Sequence, residues 1–129
     1  MFDFSKLDLS ASAEQGATLQ VRHPVSGIEL EGVTIKVVGT DSKRFRDILK
    51  NKAREQMNRK NKPIDLQKAE KESIEMLAAC TLGWTGISEG GTELQFSTEN
   101  AIMMYKKYLW LREQVDEFMN DRANFGMIA

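Results

Sequence analysis

Residues 97–125, STENAIMMYKKYLWLREQVDEFMNDRANF, constrain the fold more than any other stretch of the chain. Ser97 or Thr98 offers a side-chain oxygen to the free amides of a first helical turn, and Glu99 puts negative charge at the positive end of the helix dipole. Apolar residues recur at Ile102, Tyr105 and Leu109, then at Leu111, Val115, Phe118 and Met119, with a slip of phase around residues 108–110. The segment reads as two amphipathic helices, or one helix with a break. It carries no catalytic residue set and points to binding rather than chemistry.

Upstream the periodicity changes. ATLQVRH at residues 17–23 alternates apolar and polar positions, and GVTIKVV at residues 32–38 is rich in β-branched residues, so both are expected as strands. Pro24 and Gly27 suit a tight turn between them, with residues 28–30 as a further part of an antiparallel hairpin. Thr40, Asp41 and Ser42 follow Gly39 as cap residues, and Phe45, Ile48, Leu49, Ala53 and Met57 then fall at helical spacing. Residues before Pro63 are biased away from helix, and Asp65 can cap the next one. Leu66, Ala69, Ser73, Ile74 and Leu77 predict its buried stripe, with an end near Leu82 before Gly83 or Gly86. Gly90 and Gly91 mark a turn, and residues 93–96 are expected to be extended. Residues 1–16 read as an arm whose alternating apolars, Phe2, Phe4, Leu7 and Leu9, suit pairing onto a sheet edge.

The expected fold class is α+β, an N-terminal antiparallel β-hairpin or small sheet followed by a predominantly helical bundle of about three to four helices. Residues 17–125 form the expected single domain, between the arm at 1–16 and a short tail at 126–129. A chain of 129 residues with 41% hydrophobic residues suits one modest core, burying roughly two-thirds of its unfolded surface. The single cysteine, Cys80, lies in the apolar run IEMLAACTLGW and reads as a core thiol suited to a reducing cytoplasm. The opening MFDFSKLDLS lacks the basic start of a signal peptide, and no apolar run approaches the roughly 20 residues that span a bilayer. A soluble protein in the cytoplasm is expected.

The formal net charge of −1 hides an asymmetry. Residues 43–62 hold nine Lys and Arg against two acids, a local charge of +7 that leaves −8 on the remainder. Such a chain can bind an acidic partner, stack head to tail with its own copies, or touch nucleic acid; a plain solvated helix face is the alternative.

Candidates for chemistry are few. His23 is the only histidine and sits before Pro24 at a strand end, where an exposed or hydrogen-bonded imidazole outweighs a general base. The carboxylates lack the spacing of a calcium loop, and the glycines form neither GxGxxG nor a Walker loop. No metal, cofactor or catalytic set is expected. The methionines, among them Met57, Met76, Met103, Met104, Met119 and Met127, suit either core filling or an adaptable binding surface. Ile102, Met103 and Met104 cannot all face inward on one helix, so at least one is expected at the surface. Tyr105, Tyr108 and Trp110 gather near the helix break, as core closers or interface anchors.

Taken in order, VRHPVSGIEL, VTIKVVGTDSKRFRDIL, LAACTLGWTGI and FSTENAIMMYKKYLWLREQVDEFMNDRANF resemble the tail assembly chaperones of long-tailed (siphovirus-like) bacteriophages over roughly residues 17–125. The most specific parts are the HPVSG turn, GTDS before the basic helix, WLREQVDEF, and DRANF; many relatives carry a proline where this chain has Leu109. The resemblance implies a non-enzymatic assembly factor in the host cell cytoplasm that binds and solubilises the helical tape measure protein. Such a factor helps recruit tail tube protein, through a longer frameshifted form, and is absent from the mature virion. It also implies self-association into rings or spirals.

Partner or self-association residues are expected at Arg44, Arg46, Lys50 and Arg54 on the basic helix and at Met103, Met104, Tyr108 and Trp110 near the break. A virion structural protein, such as a tail completion or head-tail connector subunit, is the alternative from another class. A small nucleic-acid-binding regulator is a third, weakened by the acidic pI of about 5.9 and the lack of a helix-turn-helix signature.

Overall fold

The computed structural model describes residues 1–58 and 65–126. A 3₁₀ turn at Phe4–Leu7 leads to α1 (Ser10–Gln15), β1 (Ala17–Arg22), β2 (Glu29–Val37), α2 (Lys43–Asn58), α3 (Leu66–Ala79) and β3 (Thr81–Thr85). A small hairpin, β4 (Ser88–Glu89) and β5 (Thr92–Glu93), precedes α4 (Thr98–Lys107), α5 (Leu109–Asn120) and a final 3₁₀ turn at Arg122–Phe125. The class is α+β, with a three-stranded antiparallel sheet in the order β1-β2-β3.

The β1–β2 connection is built by the sequence HPVSG. His23 Nδ1 accepts from the amides of Val25 and Ser26 at 3.1 and 3.2 Å, and the Gly27 amide closes the turn on the His23 carbonyl. The imidazole therefore works as a turn cap. Its nitrogen replaces backbone acceptors that a reversing chain cannot supply. Pairing then runs from Ala17↔Val37 to Gln20↔Thr34, and a bulge follows before Arg22↔Glu29. Gln20 fills the irregularity, its side-chain amide donating to the carbonyls of Leu30 and Val33 at 2.6 and 3.1 Å.

Side chains alternate across the sheet as the pleat requires. Leu19, Val21, Ile35, Val37 and Trp84 line the core face, while Thr34 and Thr85 meet on the other through hydroxyls 2.6 Å apart. Against the core face pack Ile74, Leu77 and Ala78 of α3, Ala101, Met104 and Tyr105 of α4, and Leu111, Val115 and Met119 of α5.

Three sequence expectations change. The residues expected as a strand-like arm form a 3₁₀ turn and the short helix α1. That helix belongs to the fold, since Ala13 is buried, its carbonyl accepts from the Gly39 amide, and Glu14 accepts from the Lys43 amide at the start of α2. Helix α3 does not run to Leu82. It stops at Ala79 with Cys80 as its cap, and residues 81–85 pair onto β2 as a third strand. The Thr81 hydroxyl takes the Leu77 carbonyl and the Val38 amide takes the Cys80 carbonyl, so the helix end is satisfied where the strand begins. Finally, Leu66, Ala69 and Ser73 are exposed and only the second half of the α3 stripe, from Ile74, is buried. The sheet-then-helices order thus holds only in part, because α1 precedes the sheet and β3 joins it after two helices. The stop expected before Pro63 lies outside the described residues.

Helices α4 and α5 meet at Tyr108, whose extended backbone (φ −115°, ψ 91°) ends one helix and starts the other. Leu109 is the first residue of α5, a position whose amide has no intrahelical acceptor and where proline fits equally well. The break therefore forms without a proline. Ser97 caps α4 by accepting from the Asn100 amide at 3.0 Å.

Among the described residues, two titratable groups lie in the core. Burial pushes the Cys80 thiol from 9.0 up to about 11 and the Tyr105 phenol from 10.0 up to about 12. The folded chain keeps both protons at pH values where the unfolded chain has released them. Their contribution to stability is therefore complete below about pH 9 and is lost as pH rises to about 12. Each is worth on the order of 2–3 kcal/mol when fully titrated. Urea midpoints should fall steadily through this alkaline window, and a flat profile there would sink the assignment.

Candidate functional site

Seven of the eight candidate residues fall on two surfaces, and Met103 lies on neither. The first is a groove of about 330 Å³ at one end of the sheet, beneath the α4–α5 break. Val21, Leu30 and Val33 come from the hairpin, Ile87 from the residue before β4, and Tyr108, Trp110 and Leu111 from the break. The tyrosine and tryptophan rings stand 6.2 Å apart. Tyr108 is held in place by its hydroxyl, which donates to the Glu89 carboxylate at 2.9 Å, and Lys107 reaches the same carboxylate at 3.5 Å. The result is an apolar trough whose aromatic wall is fixed by a polar anchor. Such a wall loses little side-chain entropy on binding.

Met104 is corrected by the structure. It is a core residue, 6% exposed, and reaches the groove only as its floor. Met103 is exposed on α4 and does not line the groove, so one of the 102–104 trio does face solvent. The residues of the groove that sequence reading missed, Val21, Leu30, Val33 and Ile87, come from strands and turns distant in sequence from Trp110. The only local signal was the apolar Ile28 and Leu30 inside an otherwise polar turn.

The second surface is α2. None of its residues is fully buried. Phe45, Ile48 and Lys52 form its half-buried side, while Leu49, Ala53 and Met57 are exposed, Met57 at 73%. Its start is capped twice, by the Ser42 hydroxyl accepting from the Phe45 amide and by Glu14. Its body is tied to α3 by long side chains, Arg44 donating to the Ala79 carbonyl at 3.3 Å and Lys52 to the Glu72 carbonyl at 2.7 Å. Arg44 is therefore partly a structural residue. Arg46, Lys50 and Arg54 are exposed on the outward side, where the Arg46 charge acts on the Asp8 carboxylate.

Elsewhere, the buried Cys80 holds its proton at neutral pH, which leaves a poor nucleophile. Among the described residues no group of three or more His, Cys, Asp or Glu side chains is placed to hold a metal ion. No helix among them is long and apolar enough to cross a membrane. No protein-family model, curated protein or solved structure matches the chain.

Proposed function

We propose that this chain is a non-enzymatic tail assembly chaperone that binds the tape measure protein, keeps it soluble, and helps recruit tail tube subunits, the latter through a longer frameshifted form. It acts in the host cytoplasm and leaves before the virion is complete. The observation that carries this reading is the groove beneath the α4–α5 break. A preformed apolar trough with a rigid Tyr108–Trp110 wall accepts the apolar row of an amphipathic helix, the chemistry a long helical client repeats along its length. The ordered resemblance supports it further. Each of its specific motifs has a local role, HPVSG as the hairpin turn, GTDS as the cap of α2, WLREQVDEF as α5, and DRANF as the closing turn that seats Phe125 in the core.

The outward cations of α2 favour nucleic acid as a second reading. Co-purification with the tape measure protein, with nuclease present throughout, separates the two. Leu30→Glu and Trp110→Ala, each with native circular dichroism, should reduce recovered client by roughly tenfold or more. Undiminished recovery with both variants would remove the groove from the client's binding site.

A further inference from the structure

The groove beneath the α4–α5 break has a rim whose charge its apolar lining does not convey. The cations beside it are each held by a carboxylate, Arg22 by Glu29 at 3.2 Å, Lys107 by Glu89 at 3.5 Å and Arg112 by Glu70 at 3.2 Å. Lys106 lines a separate hollow between α3 and α4.

Three carboxylates remain, one beside each wall. Glu31 follows the groove residue Leu30, in the part of β2 that the β1–β2 register skips opposite Val21. Glu93 stands directly across the β4–β5 pair from the groove residue Ser88, and side chains directly opposite in an antiparallel pair share a face. Glu113 comes three residues after Trp110 and so lies on the same side of α5. All three are exposed, and none makes a hydrogen bond or ion pair with the described residues. The three ion pairs are neutral, which leaves the rim with the three negative charges of Glu31, Glu93 and Glu113.

An apolar concave wall bordered by one sign of charge concentrates the field on whatever enters it. Phosphates and acidic side chains are repelled. An occupant that suits both wall and rim buries an apolar row and carries Lys or Arg beside it, with the aliphatic stems along the wall and the charged heads at the carboxylates.

We infer that the groove selects cationic amphipathic helices, those whose apolar row at i, i+3 or i+4, and i+7 is flanked by Lys or Arg. The preference rests on the reading of the groove as the client site, and it adds which segments of a helical client enter. Basic segments are covered and acidic ones stay in water. Selection of this kind needs no residue-by-residue recognition, so one groove serves many segments of a long client.

The test is the affinity of the whole chain for three synthetic helical peptides that share one apolar row and carry Lys, Gln or Glu at the flanking positions. Fluorescence anisotropy of the labelled peptide reads it across a salt series. At low ionic strength the Lys peptide should bind roughly tenfold to a hundredfold more tightly than the Glu peptide, with the Gln peptide between them. The spread should close as salt shortens the Debye length from about 30 Å to about 3 Å. A chain carrying Glu31→Lys, Glu93→Lys and Glu113→Lys should reverse the order. Those positions are exposed, so native folding is expected and is checked by circular dichroism. Trp110→Ala should weaken all three peptides together.

Equal affinities for the three peptides, or an order that survives the triple reversal, would overturn the inference. So would peptides that bind Trp110→Ala as well as wild type, since their site would then lie outside the groove. Client co-purification is scored separately. Client recovery that is lost in Trp110→Ala, beside peptides that bind without regard to charge, refutes the cationic preference alone. The predicted peptide order in a chain that recovers no client refutes the chaperone reading and leaves the preference standing.

Discussion

Gly86→Ala should lower the thermal midpoint by roughly 10 °C or more. Gly86 has φ +71°, a left-handed conformation, and a Cβ built there would stand 2.3 Å from the Gly32 carbonyl oxygen and 2.9 Å from its carbon. Both obstacles are backbone, so no side chain can swing away. The left-handed conformation costs an L-residue about 1–2 kcal/mol, and moving β2 away from residue 86 adds the loss of neighbouring contacts. The Thr85 hydroxyl, which donates to the same carbonyl at 3.0 Å, is among them. The combined loss is about 3 kcal/mol or more. Thermal unfolding followed by far-UV circular dichroism reads it directly, and a midpoint within a degree or two of the wild type would contradict the close approach. Because Gly86 and Ile87 border the groove, whatever folded Gly86→Ala protein remains should also hold client poorly.

Tyr105→Ala should be the second large loss, about 3–5 kcal/mol in urea unfolding. Tyr105 is fully buried between the sheet and the helices, and its hydroxyl meets that of Thr81 at 2.8 Å where α3 gives way to β3. Truncation leaves a cavity of ring size and strips Thr81 of one partner. Tyr105→Phe separates the two contributions. It keeps the ring and removes only the hydroxyl contact, so its cost should be about 1 kcal/mol, because Thr81 still donates to the Leu77 carbonyl. A Tyr105→Ala loss no larger than that of Tyr105→Phe would mean that the ring fills no space of its own.

Tyr105 and Gly86 also show what the sequence could and could not convey. The α4–α5 pair was legible in its caps, its apolar spacing and the slip at Tyr108, because helix rules act within one turn. The β1–β2 hairpin was legible for the same reason, since HPVSG carries its own turn chemistry. Strand β3 was not. TLGWT continues the apolar run of α3, and what makes it a strand is the free edge of β2, which lies far away in sequence. Likewise α1 looked like an arm because its single buried residue, Ala13, lies against Gly39, whose amide donates to its carbonyl, a partner that local pattern cannot reveal.

The candidate site was half legible. The cations of α2 and the aromatics at the break were visible as residue types at helical spacing, yet their spatial separation was not. Alternate placement on a helix distinguishes Met103 from Met104 only once the core side is known, and that side is set by the sheet. The groove itself is a tertiary feature. It exists because the bulge after Gln20, the tight crossing at Gly86 and the Tyr108–Glu89 bond bring three separate segments to one end of the sheet.

The most direct test of the chaperone reading is co-expression with the tape measure protein that the reading assigns as its client, followed by the mass of the soluble complex. The expected result is a client that is insoluble alone and soluble with this chain, in a complex containing many copies of the chain for each client. A client that stays insoluble in its presence, or this chain recovered as a component of finished particles, would contradict it.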